Sequence, residues 1–306
     1  MMPTARPRLP NSSLLAPALF VAQGMTQYVG ASLAVVLFAV MPATTVAWWR
    51  LALAAIVLLA WRRPWRGRVA WTRADLRAAA IFGFFLATMN VLFYLALDRI
   101  DMGTTVALEF AGPVLVAAIG GRGLLDRIAI ALAALGVLSI GGFGLDRGAP
   151  GALAGMAFAL AAGGAWAAYI VLGRRIAEKR GSAPSAEAPI GPGRPPSGID
   201  TLALAMSIGA LCYLPIAVTT MHAAWAGPRL ALAVFGVAVL SSVVPYAIDQ
   251  VNFGRLSASA FAILTALLPA TAVAVGALML AQVPSMFEWI GLALISLAVA
   301  LTGRAP

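Results

Sequence analysis

"GTTVALEFAGPVLVAAIG", residues 103–120, carries a single ionisable side chain, Glu109. An ionised group at mid-bilayer costs roughly 2.5–3.5 kcal/mol even on insertion scales. The segment is therefore either the core of a soluble domain or a membrane span whose acid faces something polar. Composition separates the two. The chain of 306 residues is 62% hydrophobic and only 10% charged, whereas soluble domains carry about a quarter charged residues. So little polar surface cannot cover a soluble core, but a bilayer removes that demand. The reading is an all-α polytopic membrane protein.

Working outward, a span needs about 20 mostly apolar residues. Ten segments qualify: 14–38, 44–61, 76–97, 103–121, 127–145, 151–172, 199–221, 230–250, 257–280 and 285–303. They are parted by turn-forming or charged stretches such as "MPATT", "DRID", "DRGAPG" and "FGRLS". Arg6 and Arg8 precede the first run. That run exceeds the apolar core of a signal peptide, about 7–15 residues, so it reads as a retained span.

Basic residues set the direction. With the N-terminus inside, only Arg99, Arg147 and Arg229 fall in outer loops and Arg50 lies within a span; every other Lys and Arg is inside. This obeys the positive-inside rule and predicts both termini in the cytoplasm. It also accounts for the net charge of +10 without nucleic acid.

A repeat is visible in the spacing. Arg99 precedes Pro113 by the same interval at which Arg255 precedes Pro269, each in a corresponding part of a five-span block. Five is odd, so the second block must be inserted upside down. Two inverted five-helix repeats, 1–147 and 148–306, put a site near the midplane between them. The stretch 181–198, "GSAPSAEAPIGPGRPPSG", has no apolar period and reads as a flexible cytoplasmic loop.

The polar residues inside spans are the candidate site. Glu109 and Arg50 each lie about six residues, or about 9 Å, in from the outer end of their spans. Three readings stay open: a structural ion pair, a proton carried by Glu109, or a zwitterion whose carboxylate meets Arg50 and whose ammonium meets Glu109. Gln23 with Gln27, Asn90 with Tyr94, Trp166 with Tyr169, and Tyr246 with Asp249 share helix faces at i+3 or i+4. Singly, each is helix glue contributing under ~1 kcal/mol. As a set drawn from both halves they point to a wet central cavity, with Asp249 and Arg255 read as interfacial. Pro113 and Pro269 are either packing kinks or hinges; Pro113 frees the carbonyl of Glu109 itself. The chain has one cysteine, Cys212, and one histidine, His222, with no metal-ligand cluster and no nucleophile–base pair. No enzyme activity, metal or cofactor is expected. The oligomeric state stays open, a homo-oligomer included.

These residues carry a resemblance. "GASLA" (30–34), "WRLALAA" (49–55), "RRPWR" (62–66), "MNVLFYLAL" (89–97), "GTTVALEFAGP" (103–113), "GGAWAAYIVLGRR" (163–175) and "VVPY" (243–246) run in the order seen in the drug/metabolite transporter superfamily. The chain resembles its EamA-type threonine/homoserine exporters. The resemblance implies export of small neutral amino acids coupled to proton entry, by alternating access; a broader drug or metabolite exporter of the same fold is the alternative. Those exporters often carry a glutamate directly before the ninth-span proline, where Leu268 stands here, and Gly-Glu after that span, where Ala281-Gln282 stands. These departures bear on which substrate fits.

Overall fold

A computed structural model describes residues 12–63, 69–120, 123–140, 143, 148–182, 195–253 and 267–302. Most of the expected 181–198 loop, Arg255 and the start of the ninth expected span lie outside the described residues. The elements are α1 (Ser12–Leu37), α2 (Ala43–Arg62), α3 (Arg73–Leu97), α4 (Met102–Gly120), α5 (Leu124–Ser139), α6 (Ala152–Ser182), α7 (Gly198–Cys212), α8 (Pro228–Ala238), α9 (Val244–Phe253), α10 (Leu267–Leu280) and α11 (Met286–Thr302). A π-helical turn, Val239–Val243, joins α8 to α9 in one rod.

Among the described residues, five helical stretches are long and apolar enough to cross a bilayer: Ala18–Leu37, Ala43–Arg62, Arg73–Leu97, Ala152–Gly173 and Pro228–Gln250. Shorter apolar helices, Arg127–Ser139, Gly198–Cys212, Leu268–Leu280 and Met286–Ala298, accompany them. Leu138, Leu211, Leu232 and Leu278 are largely exposed on the outside of the bundle. Apolar side chains spread over an outer surface suit lipid rather than water.

One expected span is shorter than its apolar run. The 199–221 segment is helical only to Cys212 and continues as 3-10 turns at Leu214–Ile216 and Met221–Trp225. Pro215 explains the stop: it has no N–H for the Leu211 carbonyl and its ring crowds that turn. At the other end, α7 starts on a capping box. Ser197 Oγ accepts from the Asp200 N–H, and Asp200 returns a bond to the Ser197 N–H. Thr72 and Asp75 do the same for α3.

Helix α6 lies against α3 and α4, while α1 lies against the π-turn, α9 and α10. Helix α7 packs on α2 and α3, α8 packs on α2, and α5 packs on α11. Small residues permit the closest of these approaches. A Cβ on Gly136 would meet the Gly291 carbonyl, and one on Gly291 would meet the Gly136 carbonyl.

The two ends of the bundle are closed differently. Where α2 ends and α7 begins, Arg62 Nε donates to Asp200 Oδ1 at 3.0 Å, and Asp200 is fully buried. Removing the cation from a buried carboxylate is expensive. Arg62→Ala is expected to destabilise by about 1–3 kcal/mol, whereas the exposed Arg63→Ala changes stability by about 0.5 kcal/mol or less. Thermal denaturation in detergent reads the difference.

Where α4 and α11 begin, Thr104 Oγ1 donates to Glu288 Oε1, and the Met102 N–H donates to Gln282 Oε1 at 3.1 Å. At the same end, Trp49 Nε1 donates to the Met221 carbonyl at 2.9 Å. Desolvation, and then the charge of Glu288, hold the Asp101 carboxyl on this rim above its usual range. A raised native pKa stabilises the fold below the unfolded value and is lost as pH rises through the native one. Asp101→Asn mimics the protonated acid. It is expected to match the wild type near about pH 4 and to melt at higher temperature than the wild type by about pH 8.

Candidate functional site

The central cavity follows from where the polar faces meet. Its wall comprises Gln23, Gln27 and Tyr28 of α1, Met89 of α3, Glu109 and Phe110 of α4, Trp166, Tyr169 and Ile170 of α6, Tyr246 and Asp249 of α9, and Leu268 of α10. The space between them is about 480 Å³, open solvent at its mouth included. Six of the residues expected from sequence therefore line one space: Gln23, Gln27, Glu109, Trp166, Tyr169 and Tyr246.

Glu109 reaches the wall because α4 passes unusually close to α6. The helix runs unbroken through Pro113, which cannot bond back to the Glu109 carbonyl. That carbonyl instead faces Gly163, whose hydrogen stands where a Cβ would clash. Gly112 abuts Gly163 in the same way. Phe110 then packs edge-on against Trp166, with ring centroids 4.4 Å apart. Glu109 is 8% exposed, and its carboxylate has no hydrogen-bond or ion-pair partner among the described residues.

Arg50, Asn90 and Tyr94 form a layer behind the wall. Pro245 cannot bond back to the Ser241 carbonyl four residues earlier. Arg50 takes it instead: Nη2 donates to Ser241 O at 2.7 Å, and Nε donates to Ser242 Oγ at 2.6 Å. Nη2 also lies 3.4 Å from the Tyr246 hydroxyl, which donates to Asn90 Oδ1 at 3.1 Å. Asn90 is held in turn by donating to the Leu86 carbonyl at 2.6 Å. The guanidinium carbon lies 5.0 Å from the centre of the Tyr94 ring, a cation–π distance. No ion pair joins Arg50 to Glu109 among the described residues. Arg50 Nη1 has no acceptor among them either.

Asp249 is the residue that sequence reasoning misplaced. Its position near the end of an expected span read as interfacial. In the structure α9 continues to Phe253, and Asp249 is buried on the cavity wall, accepting from Gln23 Nε2 at 2.7 Å. The signal was present: it lies three residues after Tyr246 and shares its face. Ser241 and Ser242 were also missed, and the signal for them was Pro245. The second proline, Pro269, is buried and is the third residue of α10.

The cavity thus offers two buried carboxylates from different helices and a cation one layer behind. A carboxylate in such a place needs a proton or a counter-cation. The site can therefore exchange one for the other.

No protein-family model matches the chain. Curated relatives do. The threonine/homoserine exporter RhtA of Salmonella typhimurium is 35% identical over 254 residues, covering 83% of this chain and 79% of its own. That of Escherichia coli K12 is 34% identical over the same shares. A solved structure described only as a crystal structure of a protein covers 94% of both chains at a TM-score of 0.58 and 16% identity, which speaks to the fold alone. With a helical membrane bundle, a buried acid in a central cavity and this degree of identity, the chain belongs to the threonine/homoserine exporter family of EamA-type drug/metabolite transporters.

Proposed function

We propose that the protein exports small neutral amino acids of the threonine and homoserine kind in exchange for protons, by alternating access across the bacterial inner membrane. The observation that carries this reading is Glu109: a buried carboxylate on the cavity wall with no partner among the described residues. The relatives' names support the substrate class. Both termini lie in the cytoplasm, which makes the α4–α11 end the outer face; the distribution of basic residues supports this.

The two halves, 1–147 and 148–306, are inverted repeats that rock about the cavity. The packing partners support this: α6 meets α3 and α4 as α1 meets the π-turn, α9 and α10. In the inward-open form, Glu109 gives up its proton and takes the substrate ammonium. The substrate carboxylate is drawn toward the charge of Arg50 one layer behind the wall, whose Nη1 has no acceptor among the described residues. Rocking breaks the outer contacts at Thr104 and Trp49 and tightens the Arg62–Asp200 closure. Outside, a proton displaces the ammonium from Glu109 and the cycle returns.

Counterflow in proteoliposomes across a panel of amino acids and hydrophobic cations tests the reading. Accumulation of labelled threonine or homoserine, accelerated by a pH gradient, is expected. Accumulation of hydrophobic cations with no amino-acid flux would instead favour the broader drug exporter.

A further inference from the structure

We infer that Gln23, aligned by Asp249, selects substrates that carry a side-chain hydroxyl. This assignment deepens the exporter reading and rests on amino acids entering this cavity.

The argument starts from one amide. Gln23 is 3% exposed and lies on the cavity wall. Its Nε2 donates to Asp249 Oδ1 at 2.7 Å. The carboxyl oxygen accepts this bond, so the amide is held nitrogen toward Asp249. Its oxygen is left over. Gln23 Oε1 is buried and has no hydrogen-bond donor among the described residues. A buried acceptor without a donor is rare and costly.

The neighbours on the wall show which donor suits it. Met89, Phe110, Ile170 and Leu268 offer nothing to a hydroxyl. Glu109, once it has given up its proton, matches an ammonium better than a neutral group. The Gln23 oxygen is a neutral acceptor, fixed on α1 by a residue of α9. It matches a neutral O–H. A substrate with a methyl group in place of that hydroxyl fits the same space but leaves the acceptor empty. Threonine and valine are such a pair. Sites built to hydrogen-bond a hydroxyl reject the analogue lacking it far more strongly than apolar pockets distinguish a methylene.

The test measures inhibition of labelled threonine counterflow by unlabelled threonine and by unlabelled valine, in proteoliposomes of the full chain. The wild type is expected to prefer threonine by about tenfold or more. Gln23→Leu is expected to bring the ratio to about one, chiefly by weakening threonine. Asp249→Asn, whose amide oxygen still accepts from Gln23, is expected to retain most of the preference. Asp249→Leu releases the Gln23 amide and is expected to lose it, which supplies the same test if Gln23→Leu fails to fold. Because the readout is a ratio, general damage to transport does not mimic the effect. A wild-type protein that transports threonine but is inhibited equally by valine overturns this assignment and leaves the exporter reading standing. An unchanged ratio in both Gln23→Leu and Asp249→Leu does the same. A wild-type protein that moves no amino acid removes the exporter reading and this assignment with it.

Discussion

Glu109→Gln is expected to cut threonine counterflow by about ten- to a hundredfold and to flatten its pH dependence. The amide has nearly the same shape but can neither release a proton nor neutralise an ammonium. Glu109 has no partner among the described residues to lose, so the fold is expected to survive the change. Melting temperature in detergent is the control. Two features would separate the roles. Loss of affinity at every pH marks the ammonium contact, and loss of the pH dependence marks the proton. A variant that exports threonine at the wild-type rate with the wild-type pH profile would remove Glu109 from both.

Gly163→Val is expected to be nearly as damaging, by a different route. Gly163 touches no substrate in this account. Its Cα hydrogen faces the Glu109 carbonyl, and its backbone abuts Gly112. Those neighbours are backbone atoms and cannot turn aside. A branched side chain must push α6 from α4, carrying Trp166 off Phe110 and widening the wall beside Glu109. Overpacking commonly costs about 1–3 kcal/mol, and a rigid backbone neighbour puts this case at the upper end. A melting temperature lower by roughly 5–10 °C and loss of threonine counterflow are expected. Gly164→Val is the comparison: among the described residues, nothing outside its own stretch of helix lies within 4 Å of a Cβ there. Equal effects at the two positions would mean that the α4–α6 approach is not what holds Glu109 in place.

The fold was legible where it depends on local chemistry. Apolar runs marked the helices, and Thr72, Ser197 and Ser285 began three of them through capping boxes or their equivalent bonds. Pro215 ended α7 early, a stop that the apolar run through residue 221 concealed. Depth along a span was legible too, and it led to Glu109. Rotation about a helix axis was not. That is why Arg50 and Glu109, at similar depth, do not pair: the guanidinium turns to the carbonyl that Pro245 leaves free. A proline announces a free carbonyl, but the partner that takes it comes from tertiary structure. Asp249 was misjudged because a hydropathy boundary was taken for a helix end, and the helix goes on to Phe253.

The departures from the family pattern also take on a physical sense. Leu268, where the resemblance led to an expected acid, lines the cavity as an apolar side chain. Gln282, where the resemblance led to an expected glutamate, accepts from the Met102 N–H and ties α4 to the α10–α11 connection.

The most direct measurement is chemical modification of Glu109 by a hydrophobic carbodiimide, read at residue level by mass spectrometry, with and without threonine. Threonine is expected to slow labelling of Glu109 with the same concentration dependence that it shows in transport, while labelling of Asp98 on the exposed rim is unaffected. Labelling of Glu109 that ignores threonine at concentrations saturating for transport would contradict the account.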